Sequence, residues 1–219
     1  MKPGIYTADQ LSNENYHAAD GISKSGLDLI LRSPAHYRFS EKREATRAME
    51  IGTALHCAIL EPERFAADYM LLREVTDRRA SAYKEACKVW SAERVLTGIE
   101  ADRVAGMQES VLSHPVLGRF VKAPGRCELS VFATDPETGV LVKCRFDKLL
   151  DAKLAIDVKK TQDLRDFGKS VANYGYHMQA AFYTDVWKWA TGEDLDGFMF
   201  AAVEEQMPHA SAMITLDDE

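Results

Sequence analysis

The sequence lacks the marks of a membrane-spanning, secreted or metal-thiolate protein. No stretch of its 219 residues approaches the roughly 18 consecutive apolar residues that a membrane-spanning helix needs. The first ten residues, MKPGIYTADQ, lack the apolar centre of a signal peptide. The four cysteines contain no C-x-x-C pair, so neither a zinc knuckle nor an iron–sulfur cluster is indicated. We therefore expect a soluble, cytoplasmic protein without a membrane partner, whose cysteines stay reduced.

No lysine or arginine follows Lys188. Eight acids follow that position: Glu193, Asp194, Asp196, Glu204, Glu205, Asp217, Asp218 and Glu219. Removing these 8 from the 34 Asp and Glu residues leaves 26 acids against 27 Lys and Arg, so residues 1–188 are nearly neutral despite a net charge of -7. One stretch is locally basic through Lys24, Arg32, Arg38, Lys42, Arg43 and Arg47. This stretch is either a phosphate-binding surface or a solvated charged helix, and composition alone does not separate the two.

Helical spacing dominates residues 1–125. GISKSGLDLILRSP predicts a helix that begins at Ser23 or Ser25 and ends at its proline, and AMEIGTALHCAILEPERF predicts a second helix that also ends at a proline. Residues 80–113 show helical periodicity as well. His56 follows the apolar stripe of the second helix, where a lone histidine is more often a packed residue than a ligand.

Strand patterns begin near residue 126. CELSVFAT, VLVKCRFDKLL and LAIDVKK are short apolar runs separated by turn residues, and they predict an antiparallel meander of three strands. A helical pattern follows, with a break near Gly175 and an end at Gly192. DGFMFAAVEE and ASAMITLDD predict two more strands. This order predicts an α/β fold with a mixed central sheet flanked by helices, in one domain over residues 1–219.

Three acids fall on the neighbouring strands of the meander. If the second turn is centred on Ala152, Asp147 lies directly across from Asp157. If the first turn is centred between residues 137 and 138, Glu128 lies directly across from Asp147. An uninterrupted ladder then places the three carboxylates side by side on one face of the sheet. Lys159, two residues beyond Asp157, points to that same face.

Three adjacent like charges destabilise a sheet unless a cation holds them. Because Mg²⁺ prefers a few carboxylates plus water, a metal site is the economical explanation. Lys159 would then orient or deprotonate the attacking water, or stabilise charge on a phosphate, whereas Lys160 points to the opposite face. The alternative is that the acids are solvated and paired with Lys143, Lys148 or Lys159.

The helix after the meander carries QAAFY. Gln179 and Tyr183 are four residues apart and lie on one helical face. Their polar ends would bind a phosphate or brace Lys159. The alternative is that they are ordinary residues at the boundary of an amphipathic helix.

Together these residues resemble the PD-(D/E)xK nuclease superfamily: an acid on a first strand, RFD ending a second, DVK on a third, then a helix with QAAFY. More closely, ISKSGLDLILRSPAHY, MEIGTALHCAILEPERF and YGYHMQAAFY are similar to the nuclease domain of the RecE-type exodeoxyribonucleases (exodeoxyribonuclease VIII) of prophages. The resemblance covers nearly the whole chain, with its motifs in order. It implies a restriction-endonuclease-like core.

The resemblance also implies roles for individual residues. In RecE-like and RecB-like nucleases a histidine on an N-terminal helix ligates the metal, which implies this role for His56. The implied metal ligands are His56, Asp147 and Asp157. The implied catalytic residues are Glu128, Asp147, Asp157, Lys159, Gln179 and Tyr183. By looser analogy with the lambda-type exonucleases, contacts to the 5′ phosphate or the DNA backbone are implied for Lys24, Ser25 and Arg32.

The activity implied is Mg²⁺-dependent degradation of linear double-stranded DNA from its 5′ ends, with Mn²⁺ able to substitute. The exposed 3′ strand would pass to a single-strand annealing protein of the RecT type. Relatives form rings that enclose DNA, so a homo-oligomeric ring, a trimer or tetramer, is implied, with the acidic C-terminal stretch outside. The chain stops at ITLDDE, where relatives continue into a further helix, so we expect part of the ring interface or DNA channel to be missing.

Two other functions fit the same residues. One is an endonuclease of a restriction or defence system on the same core. The other is a DNA-binding or assembly subunit that retains the fold without catalysis, against which the intact set of Glu128, Asp147, Asp157 and Lys159 argues.

Overall fold

A computed structural model describes residues 1–41 and 44–216. Lys42 and Arg43 of the basic stretch, and Asp217, Asp218 and Glu219 of the acidic end, lie outside the described residues, as does the end of the last predicted strand. Within the described ranges no helix is both long and apolar enough to cross a membrane.

Helices predominate up to residue 122, and most strands of the central sheet come after it. The strands are β1 (Gly4–Tyr6), β2 (Met70–Leu72), β3 (Val95–Thr97), β4 (Gly125–Thr134), β5 (Leu141–Leu150), β6 (Leu154–Thr161), β7 (Gly197–Glu204) and β8 (Ser211–Thr215). The helices are α1 (Asn13–Ala18), α2 (Lys24–Arg32), α3 (Pro34–Arg38), α4 (Arg47–Leu60), α5 (Pro62–Asp68), α6 (Ser81–Val89), α7 (Gly98–Ser113), α8 (Leu117–Lys122), α9 (Phe167–Tyr174) and α10 (Tyr176–Thr191).

The central sheet has six strands in the order β1-β4-β5-β6-β7-β8. β4, β5 and β6 form the antiparallel meander that the sequence predicts. β7 runs parallel to β6, because α9 and α10 carry the chain back across the sheet before β7 begins. β8 closes the edge antiparallel to β7. The prediction of a mixed sheet flanked by helices is confirmed.

Apolar side chains cover both faces of this sheet. On one face, Leu55 of α4 and Met107 of α7 share a buried cluster with Ile156 and Val158 of β6. On the other, α10 supplies Val186 and Trp187 to a second buried cluster, with β4 and β5 beneath. Because α4 and α10 lie on opposite faces, the meander is enclosed where its acids occur.

The helix boundaries near the meander follow the sequence signals. The Ser23 side chain accepts from Gly26 N and caps α2, so Ser23 rather than Ser25 is the cap. Gly175, at φ 61°, separates α9 from α10, and Gly192, at φ 76°, ends α10. Both glycines adopt the left-handed backbone that ends a helix at little steric cost.

The helical periodicity predicted over residues 80–113 is interrupted by β3. This short strand pairs in parallel with β2, more than 20 residues earlier, and Leu96 is fully buried. Thr97 then caps α7, because its hydroxyl accepts from Glu100 N while the Glu100 carboxylate accepts from Thr97 N. Pairing between distant segments leaves no periodicity in the local sequence, so helical spacing on either side concealed the strand.

Candidate active site

The predicted registers hold on both sides of Glu128 and Asp147 between β4 and β5, and on one side of Asp147 and Asp157 between β5 and β6. Cys127 pairs with Lys148 and Leu129 with Phe146, so Glu128 and Asp147 are opposite by count. Lys148 pairs with Ile156 and Leu149 with Ala155, a register that continues to Asp147 opposite Asp157.

The assumption of an uninterrupted ladder is wrong, because the pairing stops at the acids themselves. Glu128 has a left-handed backbone, at φ 53°, and is skipped in the pairing of β4 with β5. Between β5 and β6 the last paired residues are Lys148 and Ile156. The two strands are unpaired beyond this point, and we call this opening of the ladder the cleft; the acids lie at it and do not form a flat row.

Asp147, on β5, contacts both β6 and α4 at this cleft. Its Oδ2 accepts a hydrogen bond from Val158 N of β6 at 2.8 Å and lies 3.2 Å from Nδ1 of His56 on α4. Burial alone would raise the pKa of Asp147, but the His56 ring outweighs it and holds that pKa below its usual value. Conversely, burial would lower the pKa of His56, whereas the Asp147 carboxylate raises it to about 9. Without a metal, His56 is therefore a cation at neutral pH.

Asp157 lies deeper and faces α10. Only 3% of it is exposed. Its Oδ1 accepts from Gln179 Nε2 at 2.5 Å, and its Oδ2 lies 2.6 Å from Lys159 Nζ. Apart from this ion pair, the buried Oδ2 has no partner among the residues that the structure describes. Burial raises the pKa of Asp157, which the Lys159 ammonium opposes.

Lys159 is held between a carboxylate and an aromatic ring. Its Nζ donates to Gln179 Oε1 at 3.1 Å and lies 4.6 Å from the ring centroid of Tyr176. Burial disfavours its charge, but Asp157 and Asp147 outweigh burial and raise its pKa. Gln179 thus contacts both Asp157 and Lys159, as expected for a residue that fixes the position of the lysine.

The alternative of solvated acids paired with Lys143, Lys148 or Lys159 is met only at Lys159, which pairs with Asp157. Lys143 Nζ donates to the carbonyl of Tyr16 at 2.8 Å, and Lys148 Nζ donates to the carbonyl of Val121 at 2.6 Å. Glu128 pairs with Arg145, whose Nε lies 2.7 Å from Glu128 Oε2. Burial is the main cause that raises the pKa of Glu128.

The donor set suits a hard divalent cation. His56, Asp147 and Asp157 offer an imidazole nitrogen and carboxylate oxygens, and the buried Asp157 Oδ2 has no partner among the described residues other than the Lys159 ammonium. Within the described residues, no three His, Cys, Asp or Glu side chains are already gathered as a metal centre. Instead the His56 imidazolium and the Lys159 ammonium neutralise the acids. Metal ligation by these three residues stays a prediction.

Tyr183 and the proposed DNA-binding residues lie around this cluster. The Tyr183 ring packs edge-on against Phe146, with centroids 5.3 Å apart, and burial raises the pKa of its hydroxyl. Lys24 Nζ donates to Asp28 Oδ2 at 2.9 Å and to the carbonyl of Tyr174 at 2.5 Å, which ties the start of α2 to the α9–α10 junction.

The other two DNA-binding candidates are less constrained. Ser25 Oγ lies 3.0 Å from Ser23 Oγ at the cap of α2. Arg32 is exposed at the opposite end of that helix. DNA contact by Lys24, Ser25 and Arg32 stays a prediction.

Sequence reasoning missed two residues that touch the site, Arg145 and Tyr176. Arg145 precedes Asp147 by two, so the period of a strand was a signal that could have placed it beside the acids. Tyr176 gave no such signal, since its ring reaches Lys159 only because Gly175 restarts the helix there.

Comparisons with known proteins agree with the fold. A crystal structure from Eubacterium rectale, assigned as an exonuclease, superposes with a TM-score of 0.66 at 16% identity, covering 95% of this chain and 79% of that one. At this identity the likeness shows the fold alone. No curated protein matches significantly. A family model matches residues 23–219, and the chain belongs to that family, the PDDEXK-like domain of unknown function DUF3799.

Proposed function

We propose that this protein is a Mg²⁺-dependent exonuclease of the RecE type, which degrades linear double-stranded DNA from its 5′ ends. The observation that supports this most is the convergence of Asp147, Asp157 and Lys159 in the cleft between β5 and β6, with His56 and Gln179 bound to them. PD-(D/E)xK nucleases in general use divalent ions at such acids. Mn²⁺ is expected to replace Mg²⁺.

The residues have distinct roles in this proposal. Mg²⁺ held by His56, Asp147 and Asp157 would supply Lewis-acid stabilisation of the attacked phosphate and the leaving oxygen. Lys159, whose raised pKa keeps it an ammonium, stabilises negative charge that develops on the phosphate. Gln179 fixes the position of Lys159 through Oε1 and of Asp157 through Nε2.

The wider assembly is also part of the proposal. A homo-oligomeric ring, a trimer or tetramer, would let a subunit of net charge -7 retain DNA, because basic residues such as Arg32 need only line the channel. The 3′ strand would then pass to a single-strand annealing protein of the RecT type. Sedimentation in the presence of DNA would test the ring independently of cleavage.

The decisive experiment compares linear and covalently closed circular DNA. Linear duplexes labelled separately at the 5′ and 3′ ends are incubated with Mg²⁺, Mn²⁺ or EDTA, beside an intact circle. We expect early release of the 5′ label, persistence of the circle and no cleavage in EDTA. Cleavage of the circle would instead identify an endonuclease, and DNA binding without any cleavage would identify a non-catalytic subunit.

Asp157→Asn supplies the matched control for a contaminating nuclease. It keeps the size of the side chain but removes the charge that Lys159 balances. If this variant digests linear DNA at the normal rate, the observed activity does not belong to this site.

A further inference from the structure

Arg145 is a buried cation beside the acid cluster, and each of its contacts supports a different part of the fold. Its side chain is 8% exposed. Nε donates to Glu128 Oε2 at 2.7 Å, while Nη1 donates to Ser130 Oγ at 2.7 Å and to the carbonyl of Leu11 at 3.1 Å. The guanidinium thus joins an active-site acid, the sheet and the N-terminal segment.

Glu128 needs such a partner. Its backbone is left-handed, at φ 53°, a conformation that a residue with a side chain keeps only where its surroundings hold it. It lies opposite Asp147 by register, so two carboxylates repel each other across the cleft. The ion pair with Arg145 holds Glu128 in its left-handed backbone and offsets the repulsion by Asp147. This ion pair uses only Oε2 of the carboxylate.

The N-terminal segment takes part in this arrangement. Leu11 precedes residues 23–219, the range that the family model matches. Its carbonyl nevertheless accepts from Arg145, and the ring of Tyr16, on α1, lies 5.6 Å from the guanidinium. A segment outside the family range therefore fixes a side chain that contacts the active site.

We propose that Arg145 is a positioning residue for catalysis. It holds Glu128 Oε2, so that Oε1, which has no donor among the residues that the structure describes, accepts from a group bound in the cleft. The inference rests on the proposed nuclease function and adds a residue and the N-terminal segment to that site. Arg145 acts through Glu128 and does not itself contact the reacting atoms.

A double-mutant cycle tests the proposal. The variants are Arg145→Met, Arg145→Lys, Glu128→Gln and the double variant Arg145→Met with Glu128→Gln. Arg145→Met is expected to lower kcat on linear duplex DNA roughly 10- to 100-fold with little change in KM, the usual cost of losing a residue that orients an active-site ligand. Arg145→Lys should recover part of this loss. The double variant should be no worse than Glu128→Gln alone.

Lys143→Met is the matched control. Lys143 is a second buried cation on β5, two residues before Arg145, and it also binds the N-terminal segment, through the carbonyls of Tyr16 and Ala19. Its removal should lower the melting temperature but leave kcat unchanged. Equal losses of kcat in Lys143→Met and Arg145→Met, or additive effects of Arg145→Met and Glu128→Gln, would show general damage to the fold and overturn the proposal.

Titration calorimetry with Mn²⁺ gives a second readout, which does not depend on cleavage. Because Glu128 Oε1 would accept from a water on the bound ion, Arg145→Met and Glu128→Gln should each weaken Mn²⁺ binding, again without additivity, and Lys143→Met should not weaken it. If the wild-type protein binds Mn²⁺ but cuts no DNA, the proposed function fails while this cycle still decides the role of Arg145. Unchanged Mn²⁺ affinity in Arg145→Met, beside weakened affinity in Glu128→Gln, would refute the positioning role.

Discussion

Lys159 and Lys160 are neighbours on β6, yet they belong to two different kinds of charge cluster. Both side chains are largely buried, at 18% and 14% exposed, and both pair with an acid. Lys160 pairs with Glu205, which also accepts from Arg103 Nη1 at 2.8 Å and from Gln162 Nε2 at 2.9 Å. Lys159 pairs with Asp157 Oδ2, which has no other partner among the described residues.

The difference lies in what balances the negative charge. At Glu205 two cations, Lys160 and Arg103, surround one carboxylate, and a neutral amide completes its hydrogen bonds. Around Asp147 and Asp157 neutrality depends on a proton on His56, which the proposed metal ion would replace. We therefore expect metal and pH to affect the second cluster and not the first.

The largest expected effect is the loss of DNA cleavage in the variant Lys159→Ala. Loss of a charge aimed at the attacked phosphate should lower kcat roughly 100- to 1000-fold. Lys160→Ala is the matched control and should leave kcat near the wild-type value, because Lys160 lies on the opposite face with Glu205. Both are measured on end-labelled linear DNA with Mg²⁺. A loss in Lys160→Ala as severe as that in Lys159→Ala would remove the distinction between the clusters.

The sequence was sufficient to predict this meander because its information is local. Turn residues set the two registers, and those registers placed Glu128, Asp147 and Asp157 opposite one another. They could not show where the ladder opens, since the positive φ of Glu128 and the contact of Asp147 with Val158 N depend on the packing around the strands.

Contacts between distant segments could not be predicted from local sequence patterns. His56 meets Asp147 only because α4 packs across the meander, and its role was implied by a family resemblance, not by its position on a helix. The pairing of Arg145 with Leu11 spans 134 positions and has no signal in the spacing of residues. The parallel pairing of β3 with β2 was missed for the same reason.

A smaller loss of activity is expected for Gln179→Ala. Gln179 donates to Asp157 and accepts from Lys159, so its removal frees both groups and should lower kcat roughly 10- to 100-fold. Tyr183→Phe, one turn further along α10, is the control. The Tyr183 ring packs against Phe146, and Phe keeps that packing, so near-normal kcat is expected. If Tyr183→Phe were the more damaging change, its hydroxyl would have a chemical role that these contacts do not reveal.

The two clusters should also differ in how stability depends on pH without metal. Because the pKa of His56 rises from 6.5 to about 9 in the folded protein, its contribution to stability is full below pH 6.5 and is lost as the pH rises through about 9. The melting temperature in EDTA should therefore fall over this range, and less so in His56→Gln. Lys160→Ala should keep the wild-type slope.

Added metal should oppose the fall of the melting temperature at high pH. Mg²⁺ must displace the proton from His56, so added Mg²⁺ should raise the melting temperature more at pH 9 than at pH 6.5. A stabilisation by Mg²⁺ that is equal at both pH values, or equal in His56→Gln, would place the ion away from this histidine.

The smallest expected effect is on the salt dependence of DNA binding by α2, which carries one paired cation, Lys24, and one unpaired cation among the described residues, Arg32. Lys24 is already neutralised by Asp28, whereas Arg32 is exposed and belongs to no ion pair within the part of the chain that is described. If α2 faces DNA, Arg32→Ala should reduce the slope of log affinity against log salt by about 1, the signature of one lost phosphate contact, and Lys24→Ala should reduce it less. The measurement is duplex binding in Ca²⁺ at several salt concentrations. Equal slopes in both variants and the wild type would exclude α2 from the DNA-binding surface, since an exposed arginine near phosphate cannot avoid releasing counterions.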